Sequence, residues 1–246
     1  MEARSQRTIC VVVPYFNEGS TLSDLALRLH RAFGDKDYHL VFIDDSSTDG
    51  GRPSLSKSNR DMERNQTVLR NDRNLGHGPS LLIGLRFAAE GAFSEVLTLD
   101  GDGNIDLQDV ISALNSCSEA TWDLVEFVRE DRDQSWFRWM ASKGSALLVL
   151  LKTGSLPADA NTPFRLYRSG FLRILLAGLP EKPKVPNLLI SILQRRYKAT
   201  TLELRAREGR YGANALGSTW GQRWSWIPSM RFVRFTAQAI VEVVRF

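Results

Sequence analysis

The feature that most constrains this chain is a repeated unit in its first half: a short β-branched apolar run, then apolar residues at helical spacing. Ile9–Val13 is continuously apolar, the pattern of a strand covered on both faces. Leu22, Leu25, Ala26, Leu29 and Phe33 then form one stripe on a helix, with Ser20 or Thr21 as caps and Thr21 and Asp24 at capping-box spacing. Leu40–Ile43 reads as a second strand, 52–64 as a polar helix and Thr67–Leu69 as a third strand. Pro79 opens a helix carrying Leu81, Leu82 and Leu85, Val96–Leu99 is a fourth strand, and a further helix is expected near 107–116. Strand and helix in alternation imply an α/β fold: a mainly parallel sheet with helices on both faces. Ligands bind such sheets beyond the carboxyl ends of the strands, so the segments 14–18, 44–51 and 100–104 are expected to meet at one crevice.

The second half is less regular. Leu124–Val128 and Thr200–Leu204 read as strands, Trp136–Leu151 and 229–246 as helices. In the last, Arg231, Arg234, Gln238, Glu242 and Arg245 recur at three- and four-residue spacing among apolar residues, a pattern that fits either a membrane interface or packing on the domain or a partner. Charge divides the same way. Residues 1–128 hold 12 Lys/Arg against 20 Asp/Glu, and residues 129–246 hold 20 against 8, within a chain of net charge +4. The acidic half suits metal ions; the basic half suits phosphates or an anionic surface. No recognised nucleic-acid module appears, so nucleic acid is not an expected partner.

Two cysteines, Cys10 and Cys117, exclude a disulfide-stapled scaffold. No apolar run approaches the roughly 20 residues of a membrane span, and the N-terminal run is too short for a signal peptide, so a cytoplasmic location is expected. There is no Walker loop, and no G-x-G-x-x-G follows the first strand, which counts against a nucleotide triphosphatase or an NAD enzyme.

Asp100-Gly101-Asp102 sets two carboxylates at the end of a buried strand, a hard-oxygen pair suited to Mg²⁺ or Mn²⁺ together with substrate phosphates, although Asp-Gly pairs also make plain turns. Asp44 and Asp45 repeat the arrangement, with nucleoside binding or turn formation as the two readings. Asn74-Leu75-Gly76-His77-Gly78-Pro79 is a glycine-bearing loop entering a helix, able to offer N–H groups to an anion.

Taken in order, V-V-V-P-Y-F-N-E, D-D-S-S-T-D-G, N-L-G-H-G and D-G-D-G-N resemble the signature of family 2 inverting glycosyltransferases of the GT-A fold, in the dolichyl- or polyprenyl-phosphate sugar transferase branch. The resemblance implies a GT-A domain over 1–215, with a nucleotide-sugar half at 1–128 and an acceptor half at 129–215, followed by an aromatic, amphipathic segment at 216–246. It assigns nucleotide binding to Pro14, Tyr15, Asn17, Glu18, Asp44, Asp45, Asn74, Gly76 and Gly78, and metal binding to Asp100, Asp102 and Asn104. It sets Arg129, Arg138, Ser142 and Arg165 against the acceptor phosphate or the diphosphate, and identifies Arg207–Gly212 as a basic loop near the latter. Three positions depart from the pattern: Ser46 and Pro163 where glycine is usual, and Ile105 where histidine is common. The implied reaction is transfer from a GDP- or UDP-linked sugar to a polyprenyl or dolichyl phosphate, at the cytoplasmic membrane face through peripheral contact or a membrane subunit. A glycan hydroxyl acceptor, or a non-catalytic nucleotide-binding protein of the same fold, are the other readings.

Overall fold

The structure is a computed structural model, and it describes residues 8–34, 36–50, 64–103, 106–117, 120–130, 136–207 and 230–246. The helix expected over 52–64 lies almost wholly outside these residues. The strands are β1 (Thr8–Tyr15), β2 (Asp37–Asp44), β3 (Gln66–Arg70), β4 (Glu95–Thr98), β5 (Leu124–Glu130), β6 (Arg165–Arg168) and β7 (Thr201–Arg207). The helices are α1 (Gly19–Phe33), α2 (His77–Glu90), α3 (Leu107–Ser116), α4 (Trp136–Thr153), α5 (Ser169–Gly178), α6 (Pro186–Arg196) and α7 (Met230–Arg245).

The seven strands form one sheet in the order β3-β2-β1-β4-β6-β5-β7. Among the described strands only β6 runs antiparallel to its neighbours, β4 and β5; the other pairings are parallel. Period-two alternation sends β1 into two cores. Val11 and Val13 pack with Leu22, Leu25 and Leu29 of α1 and Val110 of α3, while Cys10 and Val12 pack with Leu81 and Leu85 of α2 and Leu188 of α6. The result is three layers, helices on both faces of the sheet. Because β2 and β3 lie to one side of β1 and β4 to the other, the strand order reverses at β1/β4, the position where open α/β sheets form a ligand crevice.

Helices α5 and α6 and strand β6 were not foreseen from the sequence. Strand β6 has only four residues, Arg-Leu-Tyr-Arg, and is buried because β4 and β5 flank it. The expected cap of α1 also shifts: the N-cap position falls at Glu18, with no side-chain capping bond of its own. Helix α7 packs on α4 and α6 through buried Ala239 and Val243. Glu242, one of the recurring polar positions of this helix, accepts the Lys184 amide on both oxygens (2.9 Å each), while Ile240, Val241 and Val244 stay exposed.

Candidate functional site

Backbone hydrogen bonds join the carboxyl ends of β1, β2 and β4. Gly101 N donates to Pro14 O (3.2 Å), and Asp45 N donates to Tyr15 O (2.9 Å). A β-carbon on Gly101 would stand 2.7 Å from Tyr15 Cβ and 3.1 Å from Pro14 O, so glycine is what lets the Asp100–Asp102 loop lie against β1. The loop after β1 is fastened to the loop after β2. Asn17, at φ +57°, donates its N–H to Ser47 Oγ (3.0 Å) and accepts from Thr48 N at Oδ1 (2.8 Å). The Asp49 carboxylate accepts from Gly19 N (2.9 Å), so a side chain from another loop satisfies one of the first amides of α1. The three expected segments therefore do converge.

Their carboxylates divide into two sets. Asp44 and Asp45 are buried and held by the protein itself. Asp44 accepts from Ser47 N (2.7 Å) and pairs with half-exposed Arg70 (2.7 Å), which also donates to Ser47 O (3.0 Å). Asp45 accepts from Asn71 Nδ2 (2.9 Å), Leu75 N (2.8 Å) and Gly76 N (2.8 Å), and so shapes the 74–76 turn that was expected to cradle an anion. In the same turn, a β-carbon on Gly78 would meet Lys184 O and Pro186 Cδ, each at 2.7 Å, so this glycine answers to packing on the start of α6.

The second set faces the crevice. Burial raises the Glu18 carboxyl above its ordinary range, and the charges of Asp102, Asp49 and Asp100 raise it further. Four carboxylates that repel one another form an electrostatic environment suited to a cation. His77, which the sequence reading quoted but did not select, joins them: its Nε2 lies 2.8 Å from Asp100 Oδ1. Loss of water from the half-exposed ring opposes its charged form, but the charge and hydrogen bond of Asp100, with the charges of Asp102 and Asp45, raise the pKa overall. Among the described residues no three His, Cys, Asp or Glu side chains form a metal cage by themselves. Two carboxylates completed by substrate phosphates is the arrangement usual for Mg²⁺, and the Asp100/Asp102 donor set fits it.

A sequence model of "Glycosyl transferase family 2" matches residues 10–175, which span most of β1 through most of α5 and include the loops after β1, β2 and β4 just described. The chain belongs to glycosyl transferase family 2. Undecaprenyl-phosphate 4-deoxy-4-formamido-L-arabinose transferase of Edwardsiella ictaluri (strain 93-146) is 30% identical over 190 residues, covering 76% of this chain and 57% of that relative's length. Among solved structures, glucosyl-3-phosphoglycerate synthase from Mycobacterium tuberculosis, in complex with Mn²⁺, UDP and glucosyl-3-phosphoglycerate, aligns over 97% of this chain and 79% of its own, with a TM-score of 0.62 and 17% identity. Mannosyl-3-phosphoglycerate synthase from Rubrobacter xylanophilus aligns over 97% and 73%, with a TM-score of 0.58 and 12% identity. These two likenesses establish the fold.

In this family 2 chain the second half reaches the same edge of the sheet. Strands β5 and β7 run parallel to β4, so Arg129 and Arg207 sit at carboxyl ends on the crevice side. Ser142 is half-buried on α4; Asn104 and the side chains of Arg129 and Arg138 lie outside the described residues. Arg207 binds α3 through Asp109 (2.9 Å) and Asp106 (3.0 Å), which anchors the start of the segment expected to form the basic loop; 208–229 lie outside the described residues.

Arg165 departs from the expectation of a phosphate contact. Alternation along β6 puts Leu166 in one core and Arg165 on the opposite face, toward α6, fully buried. Its Nε donates to Glu126 (3.1 Å), Nη1 to Asn187 Oδ1 (3.2 Å) and Asn187 O (3.3 Å), and Nη2 to Ser191 Oγ (2.7 Å). Its donors are committed to joining β5, β6 and α6. The sequence signal for this role was Glu126 itself, a carboxylate inside an otherwise apolar strand run, which needs a buried partner.

Proposed function

We propose that this chain transfers a sugar, with inversion, from a nucleotide-sugar to a polyprenyl phosphate, using Mg²⁺ or Mn²⁺. The observation that carries the reading is the meeting of Asp100 and Asp102 with the Pro14–Glu18 loop at the β1/β4 reversal, beside a Glu18 carboxyl raised by burial and then by neighbouring negative charge. The name of the Edwardsiella relative supports the choice of acceptor; the present chain spans little more than half of that protein, so the whole reaction is proposed and not transferred.

On this reading Pro14, Tyr15, Asn17 and Glu18 line the nucleoside side, and Asp44 and Asp45 act chiefly by shaping the loops that contact it. Asp100 and Asp102, with Asn104, hold the cation. Bound there, a divalent cation neutralises charge on the departing nucleoside diphosphate. Arg129, Arg138 and Ser142 orient the acceptor phosphate. A phosphate is already ionised at neutral pH and attacks without a general base, whereas a sugar hydroxyl would need one. Asp159, six residues before Arg165, is buried, and its Oδ1 accepts from Asn161 N (3.3 Å), which suits a loop-shaping role better than that of a base.

No helix among the described residues is long and apolar enough to cross a membrane. The proposed lipid contact is the outer face of α7, exposed at Ile240, Val241 and Val244, with Trp139, Met140, Leu147 and Leu151 exposed on neighbouring α4. The test is transfer of radiolabel from a panel of GDP- and UDP-sugars to polyprenyl phosphate in anionic vesicles, with Mg²⁺ or Mn²⁺ and with EDTA. Metal-dependent lipid labelling that Asp102→Ala abolishes is the expected result. Donor hydrolysis without lipid labelling would move the acceptor to a glycan. Val241→Asp with Val244→Asp is expected to release the protein from vesicles, and retention of both proteins alike would refute the membrane face.

A further inference from the structure

His77 is the first residue of α2, and its position is fixed from three sides. Asp45 accepts the amides of Leu75 and Gly76 (2.8 Å each), Asn71 Nδ2 bridges Asp45 and Ser80 Oγ (2.9 Å each), and Ser80 Oγ donates to Gly76 O (3.0 Å). Behind the turn, Gly78 lies so close to Lys184 O and Pro186 that the helix start cannot retreat. From this braced backbone the half-exposed imidazole reaches across to the end of β4, with Nε2 at 2.8 Å from Asp100 Oδ1. An ionised carboxylate only accepts, so Nε2 carries the donated proton.

We propose that His77 is a positioning residue: its Nε2–H holds the Asp100 carboxylate in one rotamer, fixing the direction in which Asp100 faces its ligand. The functional consequence rests on the reading of Asp100 and Asp102 as cation ligands. Carboxylates that bind a metal are themselves oriented by hydrogen bonds, and losing such a partner typically costs about 10- to 100-fold in metal affinity. Buried Asp45 thereby gains a part in the chemistry at a distance, since it shapes the turn that carries His77.

Two readouts test this. The first needs no metal: ¹⁵N spectra of the His77 ring should show protonated Nε2 hydrogen-bonded in the wild type, with that signature lost in Asp100→Ala. Identical ring spectra in the two proteins would overturn the proposal. The second is Mn²⁺ binding in the presence of saturating UDP or GDP, whose phosphates complete the coordination, followed by electron paramagnetic resonance. His77→Ala should bind Mn²⁺ about 10-fold more weakly, while His77→Gln, whose amide can place an N–H near the position of Nε2, should stay within about threefold of wild type. Wild-type affinity in His77→Ala, or an equal loss in His77→Gln and His77→Ala, would overturn the positioning role. If the wild type and Asp102→Ala bind Mn²⁺ equally poorly while the ring signature holds, the metal reading fails and the His77–Asp100 pairing stands.

Discussion

Ser46 carries a β-carbon into the left-handed region, at φ +66°, directly after buried Asp44, the last residue of β2, and buried Asp45. A side chain there costs on the order of 1 kcal/mol that glycine avoids, partly offset by glycine's greater freedom when unfolded. Ser46→Gly should therefore leave stability unchanged or raise it by up to about 1 kcal/mol, and Ser46→Val should lower it by about 1–2 kcal/mol. Urea unfolding checks both; a clear loss in Ser46→Gly would mean that the Ser46 side chain does more than tolerate the turn. At this scale the acidic residues of the site were legible, because charges at the ends of buried strands need a reason to be there. What each one does was less so. Asp44, Asp45, Gly78 and Arg165 were read as ligand contacts, yet all four are engaged by the protein's own loops, strands and helices. A motif records that a residue type is needed at a position. Only the partners across the fold distinguish a group that touches ligand from one that shapes the loop doing so.

The elements of the first half were legible because β1, β2 and β4 bury apolar residues on both faces and α1, α2 and α3 each bury an apolar stripe. Strand β6 was not, because a four-residue run with arginine at both ends becomes a strand only when β4 and β5 flank it. Its Arg165–Glu126 pair yields a prediction about how the elements are joined. Arg165→Met alone should destabilise by about 3–5 kcal/mol, since Glu126 loses its main buried partner, and Arg165→Met with Glu126→Leu should recover much of that loss. Single variants within about 1 kcal/mol of wild type would show that the pair is dispensable. A second join, Arg207 to Asp109, ties β7 to α3. Hydrogen bonding to Arg207 lowers the Asp109 pKa. A depressed carboxylate contributes stability above its unfolded pKa of about 3.9 and loses it as pH falls through the lower folded value. Asp109→Asn should thus cost up to about 1 kcal/mol at pH 7, small because Arg207 is 61% exposed, and the difference should vanish in acid. A deficit that persists at the lowest pH where the protein still folds would count against the ion pair as its cause.

For the whole molecule, the sheet order fixes where chemistry can occur. The reversal at β1/β4 brings together loops separated by more than eighty residues, and β5 and β7 end on the same edge, so the acidic half of the chain meets the start of the basic half there. Helix α7 shows the limit of reading such a molecule from pattern. Its periodicity announced a helix with two faces but left open which one packs; contacts with α4 and α6 bury Ala239 and Val243, Glu242 binds the Lys184 amide, and Ile240, Val241 and Val244 stay exposed. The measurement that tests the central claim most directly is calorimetric titration of UDP and of GDP, each with and without Mn²⁺, into the wild type and Asp102→Ala. Metal-dependent binding of one nucleotide by the wild type, weakened about 10-fold or more in an Asp102→Ala protein of unchanged thermal stability, is the predicted result. Equal binding by both proteins, or none by the wild type, would contradict the assignment of the β1/β4 crevice as the nucleotide-sugar site.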